Sequence, residues 1–258
     1  MSLSKPYYRI ARPKAFIPHY VENSRYASNR LQLSRAYINI DRKLRAIFNY
    51  VEPDEKNKSV FSLELYSLFL EACTEVELNC REILLANEIN VKPENFNMKI
   101  YKKLEKSSLL SRYTAIFPNW RQRNEEGRLE YVRKEFQPFK NFNSSINKPL
   151  QWYQDYNAVK HNREENLEKA NLENCINAVA AILILLYSQF GASCIEKYGP
   201  GQISYTTDDC EYDFVFGADV IFEIRPPKVG DWSLDELYEF EWDEIKDTPE
   251  PFVKFKFQ

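Results

Sequence analysis

The residues of this chain best suited to chemistry lie between Asp155 and Arg163, in the run Asp-Tyr-Asn-Ala-Val-Lys-His-Asn-Arg. His161 is one of only 2 histidines in 258 residues, and an unperturbed imidazole is the side chain that changes charge near neutral pH. If the run is helical, Asn157 and His161 are four residues apart and share a face, with Tyr153, Lys160 and Glu164 close by. Such a face offers an imidazole to move a proton and an ammonium and an amide to hold an anion. With Arg163 it supplies the group types that metal-independent RNA cleavage needs. These are an acid or base for the ribose 2′-hydroxyl and the leaving oxygen, and cations for the charge developing at phosphorus. The structural alternative is that Asn157 and His161 bond to each other or to backbone within a helix interface.

Two other stretches carry chemically suggestive residues. The N-terminal arm, residues 1 to 28, is punctuated by Pro6, Pro13 and Pro18 and interleaves Tyr7, Tyr8 and Phe16 with Arg9, Arg12 and Lys14. Cations that follow phosphates beside rings that stack bases describe a single-strand binding surface, to which Arg121 and Arg123 further along would add. The same arm also reads as one that pins its rings into a core and leaves its arginines in water. Near the C-terminus, Asp213, Asp219, Glu223 and Arg225 fall short of a metal-nuclease pattern, because an arginine stands where the lysine is required, and strand alternation explains the charges. His19 has no recognisable partner, and no glycine-rich phosphate loop, nucleophile elbow, His-Glu-x-x-His or dinucleotide fingerprint occurs. No metal and no cofactor is expected.

Charge is unevenly distributed. The chain as a whole is at −3, yet residues 1 to 50 hold ten Lys/Arg against Glu22 and Asp41, while residues 204 to 258 hold fifteen Asp/Glu against five Lys/Arg. Either a polyanion-binding face is opposed by an acidic module that takes a basic partner or masks the protein's own basic face, or the two ends pack together. The 5 cysteines form no Cys-x-x-Cys pair and suggest neither a disulfide framework nor a zinc site, which fits a reducing cytoplasm. The start of the chain lacks the apolar core of a secretory signal. The longest apolar run, Ala178 to Tyr187, is about half of what a bilayer crossing needs, so no membrane is expected.

The elements that must position these residues are mostly helical. Apolar residues from Phe61 to Leu84 recur at helical spacing, and Glu64, Glu71, Glu75 and Glu82 form an acidic stripe on the same helix. Asn97 is placed to cap a short basic helix carrying Lys99, Lys102, Lys103 and Lys106. Ser111 to Trp120 reads as a strand or a connecting loop. A helix begins near Pro149, and a second, apolar almost all round, runs from Leu172 to Phe190. Beyond residue 200 the period changes. Residues 212–216, 220–224, 238–242 and 252–257 are rich in aromatic and β-branched side chains and predict three or four half-buried strands. The expectation is a mainly α protein, α+β overall: an arm over 1–28, a helical bundle over 29–199 and an acidic, antiparallel β appendage over 200–258.

Tyr-Asn-Ala-Val-Lys-His-Asn-Arg, followed by Asn166, Leu167, Ala170, Leu172 and a long apolar helix, resembles the C-terminal motif region of the HEPN superfamily. Leu-Glu-Ala-Cys-Thr-Glu-Val-Glu at 70–77 is similar to that family's first core helix, and the likeness spans roughly residues 58 to 190. The resemblance implies a helical bundle that pairs as a homodimer in a prokaryotic defence or toxin setting. It also implies a ribonuclease site in which a His and a preceding Arg act on the scissile phosphate without metal. Asn157 and His161 match that pattern; the positions eligible for the Arg hold Gln154, Asp155 and Tyr156. On a continuous helix Arg163 would reach toward the face of Tyr156, displaced by roughly 10 Å along the axis. Members without the full motif are non-catalytic or nucleotide-sensing helical domains. The alternative function is therefore an interaction module acting through residues 204–258.

Overall fold

The computed structural model describes residues 3–12, 19–144, 148–195 and 220–257. After a 3-10 turn at His19–Glu22 come α1 (Arg30–Ile47), α2 (Leu63–Ala86), and the short α3 (Met98–Tyr101) and α4 (Leu104–Ser108). A hairpin of β1 (Thr114–Arg123) and β2 (Leu129–Phe136) follows, then α5 (Gln151–His161), α6 (Arg163–Asn166) and α7 (Leu172–Phe190). β3 (Glu223–Arg225) and α8 (Trp242–Ile245) complete the chain.

α7 is the axis of the body. Seventeen of its 19 residues are buried, so it has no solvent face, and α1, α2, α5 and β1 pack around it. By length and composition Leu172–Cys194 would pass as a membrane span, but 94% of that window is buried within the protein. α2 is secured at its start by Ser62, whose hydroxyl accepts from the Leu65 N–H at 3.1 Å, and it buries an uninterrupted stripe from Leu65 to Leu84. The acidic stripe on its other side is not simply solvated. Glu71 pairs with Lys43 at 2.6 Å and Glu82 with Arg9 at 3.1 Å.

The sheet departs from the sequence expectation. Its order is β2-β1-β3, all antiparallel, so two of its three strands come from 114–136 and only one from the C-terminal region. Thr114 to Ile116 of β1 pair with Glu223 to Arg225 of β3, which ties the C-terminal segment into the body instead of setting it apart as an appendage. Of the other expected strands, 212–216 lies outside the described residues. Residues 238–242 and 252–257 form no ladder. Each makes a single parallel bridge to the arm, Leu3 to Tyr238 and Tyr7 to Val253. Alternating rings there serve an extended segment laid on a helical body, a pattern that period alone cannot separate from a strand. The cysteines Cys73, Cys80, Cys175 and Cys194 are free and buried.

Candidate functional site

α5 carries Trp152, Tyr153, Tyr156 and Val159 into the core, which turns Asn157, Lys160 and His161 toward the surface. His161 is the last residue of the helix. Its imidazole is exposed and makes no hydrogen bond or ion pair among the described residues, and none links it to Asn157. The interface-histidine alternative is therefore not what this structure holds.

The two cations beside it are each docked on a ring. The Lys160 ammonium donates to the Tyr156 hydroxyl at 3.0 Å and lies 5.0 Å from that ring's centroid. The Tyr156 hydrogen bond, outweighing partial burial and helped by Glu77, raises the Lys160 pKa, so this group stays an ammonium at neutral pH and serves as a cation, not a base. Tyr156 is buried, and desolvation raises its own pKa even against Lys160. Behind it Tyr153 donates to Glu77 Oε1 at 2.7 Å, with burial first and that carboxylate second pushing the phenol upward.

Arg163 is not where a continuous helix would put it. Asn162, at φ −146°, breaks the helix, and its side chain opens α6 by accepting from the Glu165 N–H at 3.4 Å while its amide donates to Glu165 Oε2 at 2.8 Å. The Arg163 guanidinium consequently lies over the Tyr66 ring of α2, 5.3 Å from its centroid, and does not substitute for an arginine at Tyr156. Glu164, Glu165 and Glu168, all exposed, bring carboxylates to the same corner. Lys160 and Arg163 are each able to meet a phosphate, and the exposed His161 is able to move a proton. It does not aim a guanidinium and an imidazole at one atom.

The arm residues end up elsewhere. Arg9 is 5% exposed; its guanidinium donates to Gln189 Oε1 at 3.1 Å and to Asn29, and pairs with Glu82. Burial lowers its pKa against the opposing pull of Glu82. Arg12, 6% exposed, donates to the carbonyls of Glu236 at 2.6 Å and Ser107 at 3.3 Å. It sits 4.8 Å from the Trp232 ring and within 5.9 Å of Tyr7, Tyr238 and Phe255. Neither guanidinium faces solvent, so neither is presented to a nucleic acid; this corrects the binding-arm expectation for these two residues. Lys14 lies outside the described residues. Arg121 is held by buried Asp54 at 2.7 Å, while Arg123, exposed at the hairpin tip, donates to the Gly127 carbonyl at 2.5 Å.

Residues that sequence reasoning missed are the ring partners, Tyr156 and Tyr66, and the carboxylate Glu77. A Tyr four positions before a Lys on one helix is a readable signal for the first of these; Tyr66 and Glu77 are remote in sequence and give none. No group of three or more His, Cys, Asp or Glu able to hold a metal occurs among the described residues. No protein-family model, no curated protein and no solved structure matches this chain.

Proposed function

We propose that this chain is a HEPN-like RNA-binding protein of a prokaryotic defence or toxin system, cytoplasmic and paired as a homodimer. The observation that carries the reading is the end of α5. An exposed imidazole with no hydrogen-bond or ion-pair partner among the described residues lies between two cations in the sequence, each oriented on a ring and so ready to meet a phosphate at low entropic cost. Asn157 and His161 occupy the positions that the resemblance assigns to the family's site.

Binding is better supported than cleavage. Phosphoryl transfer without a metal needs a cationic donor aimed at the same phosphorus that the imidazole serves, and a misplacement of even 1 Å is costly. Here Arg163 is turned onto Tyr66 and Tyr156 fills the arginine position. Cleavage remains the second reading on one observation, the unengaged His161. The interaction-module alternative in its masking form finds support at the other end of the chain. Lys5 donates to the Glu250 carbonyl and Arg25 to that of Thr248, so the acidic segment does lie on the arm.

The test is RNA binding by fluorescence anisotropy beside a cleavage assay over a panel of single-stranded RNAs. The expected result is salt-sensitive binding, weakened several-fold in Lys160→Gln/Arg163→Gln. Cleavage lost in His161→Ala would establish the enzyme reading, and an unmodified protein that neither binds nor cuts any RNA would remove the proposal.

A further inference from the structure

Many cations elsewhere on this protein are engaged by carboxylates, among them Lys43 by Glu71, Lys58 by Glu55 and Glu173, Arg121 by Asp54, Lys134 by Glu55, Lys246 by Asp243 and Lys254 by Glu88. One segment gathers five cations that are not. Residues 92 to 106 contain Lys92, Lys99, Lys102, Lys103 and Lys106, and none of these ammoniums pairs with a carboxylate among the described residues. Only Glu94 and Glu105 fall within the same stretch, and Glu105 is turned inward, accepting from the Ser111 amide at 2.9 Å and its hydroxyl at 2.6 Å.

The backbone gathers these lysines. Asn97 caps α3 by accepting from the Lys99 N–H at 3.0 Å, and Lys102 and Lys103, between α3 and α4, keep right-handed helical angles with φ of −56° and −61°. The backbone therefore stays right-handed from Met98 to Ser108, tightening to three-residue hydrogen bonds between α3 and α4 (Lys103 to Ile100, Glu105 to Lys102), until Leu109 stops it in a left-handed conformation at φ 48°. Offsets of three, four and seven residues place Lys99, Lys102, Lys103 and Lys106 on one face. The opposite face, Tyr101, Leu104, Ser107 and Ser108, is buried. Lys102 also donates to the Ser144 carbonyl at 3.1 Å, which draws the exposed Lys140 segment alongside. Like charges at these spacings cost stability, and among the described residues no carboxylate pairs with them.

We propose that the α3–α4 lysine face is a second RNA contact that tracks the phosphate backbone without reading bases. The inference rests on the RNA-binding reading above and extends it to a surface distinct from the α5 corner. Both surfaces border α2, which packs against α3 and against α5. Phosphate tracking follows from the two aromatics of this segment, of which Tyr101 is buried. The Phe96 ring has Arg81 at 5.8 Å and Tyr101 stacked at 6.3 Å, so its surroundings are already filled and it has no free face for a base.

The test compares RNA affinity across a salt series for the wild type, for the variant with Lys99, Lys102, Lys103 and Lys106 all changed to Gln, and for the same four changed to Arg. Single-strand contacts contribute about 0.7 each to the slope of log affinity against log salt, so the Gln variant should lose about 3 from that slope. The Arg variant should retain it, and RNAs of different sequence should behave alike. An unchanged slope in the Gln variant, with affinity still lost in Lys160→Gln/Arg163→Gln, would overturn the lysine face and leave the RNA reading intact. A wild type that binds no RNA, or binds phosphatidylserine vesicles in its place, would overturn both.

Discussion

The arginines of the N-terminal arm and the lysines of α3 and α4 look alike in sequence, as short basic runs beside aromatic residues, and they meet opposite fates. Arg9 and Arg12 are taken inside, among Gln189, Glu82, backbone carbonyls and four rings, and contribute to holding the two ends of the chain together. Of the lysines, Lys99 and Lys106 are exposed and Lys102 and Lys103 half-buried, and none has a carboxylate partner among the described residues. The difference follows from side-chain chemistry. A planar, weakly hydrated guanidinium can be buried against rings and carbonyls, whereas an ammonium is strongly hydrated and remains in water unless paired. Basic composition therefore says little about where a polyanion lands until burial has sorted the cations.

That contrast is most directly broken at Arg12. Arg12→Ala would strip a buried cation from two carbonyls and from the Trp232 ring, and we expect a loss of about 3 kcal/mol in urea unfolding with RNA affinity per folded molecule unchanged. A fall in RNA affinity without a fall in stability would return the arm to the binding surface. The hairpin repeats the comparison on a smaller scale. Arg121→Ala leaves buried Asp54 without its guanidinium and should cost about 2 kcal/mol, whereas Arg123→Ala at the exposed tip should stay within about 0.5 kcal/mol; equal effects would erase the distinction between inward and outward arginines.

A smaller effect is expected at Glu55, which anchors the hairpin to the body. Partial burial alone would raise its pKa, but hydrogen bonds from Lys58, Lys134 and Trp120 outweigh that and draw it down to about 2. A carboxylate with a depressed folded-state pKa stabilises above its unfolded value, and that contribution is lost as pH falls from the ordinary carboxylate range toward 2. Glu55→Gln should flatten the acid limb of a stability–pH curve by under about 1 kcal/mol, since the group is largely solvent-screened. An unchanged curve would show that the anchor contributes nothing. Smallest of all, Arg163→Ala removes one exposed cation–π contact and should cost about 0.5 kcal/mol, leaving any larger effect on RNA affinity attributable to binding.

Much of this fold was legible in the sequence where periodicity was long. The stripe of α2, the all-round apolarity of α7 and the Asn97 cap appear as read. The β1–β2 hairpin was obscured because its first half, Thr114 to Phe117, is buried on both faces and does not alternate. The register then shifts between Phe117 and Trp120, around Pro118. A signal did exist in Asn124-Glu-Glu-Gly127, where Asn124 closes the loop by accepting from the Glu126 and Arg128 amides and Gly127 adopts φ 78°. At the candidate site, the helical spacing of Asn157 and His161 was legible, and both lie on α5. The break at Asn162 was not, because Asn-Arg-Glu-Glu is compatible with a continuing helix as well as with a cap. The burial of Arg9 and Arg12 could not be read from local sequence, since Gln189, Glu82, Trp232 and Glu236 lie far along the chain.

The central claim, that RNA meets the α5 corner and the lysine face while the arm is structural, is tested most directly by amide hydrogen exchange of the full chain with and without a single-stranded RNA. Slowed exchange is expected over 98–108 and 157–166, with residues 3–12 unchanged. Protection confined to residues 3–12, or none anywhere at saturating RNA, would contradict it.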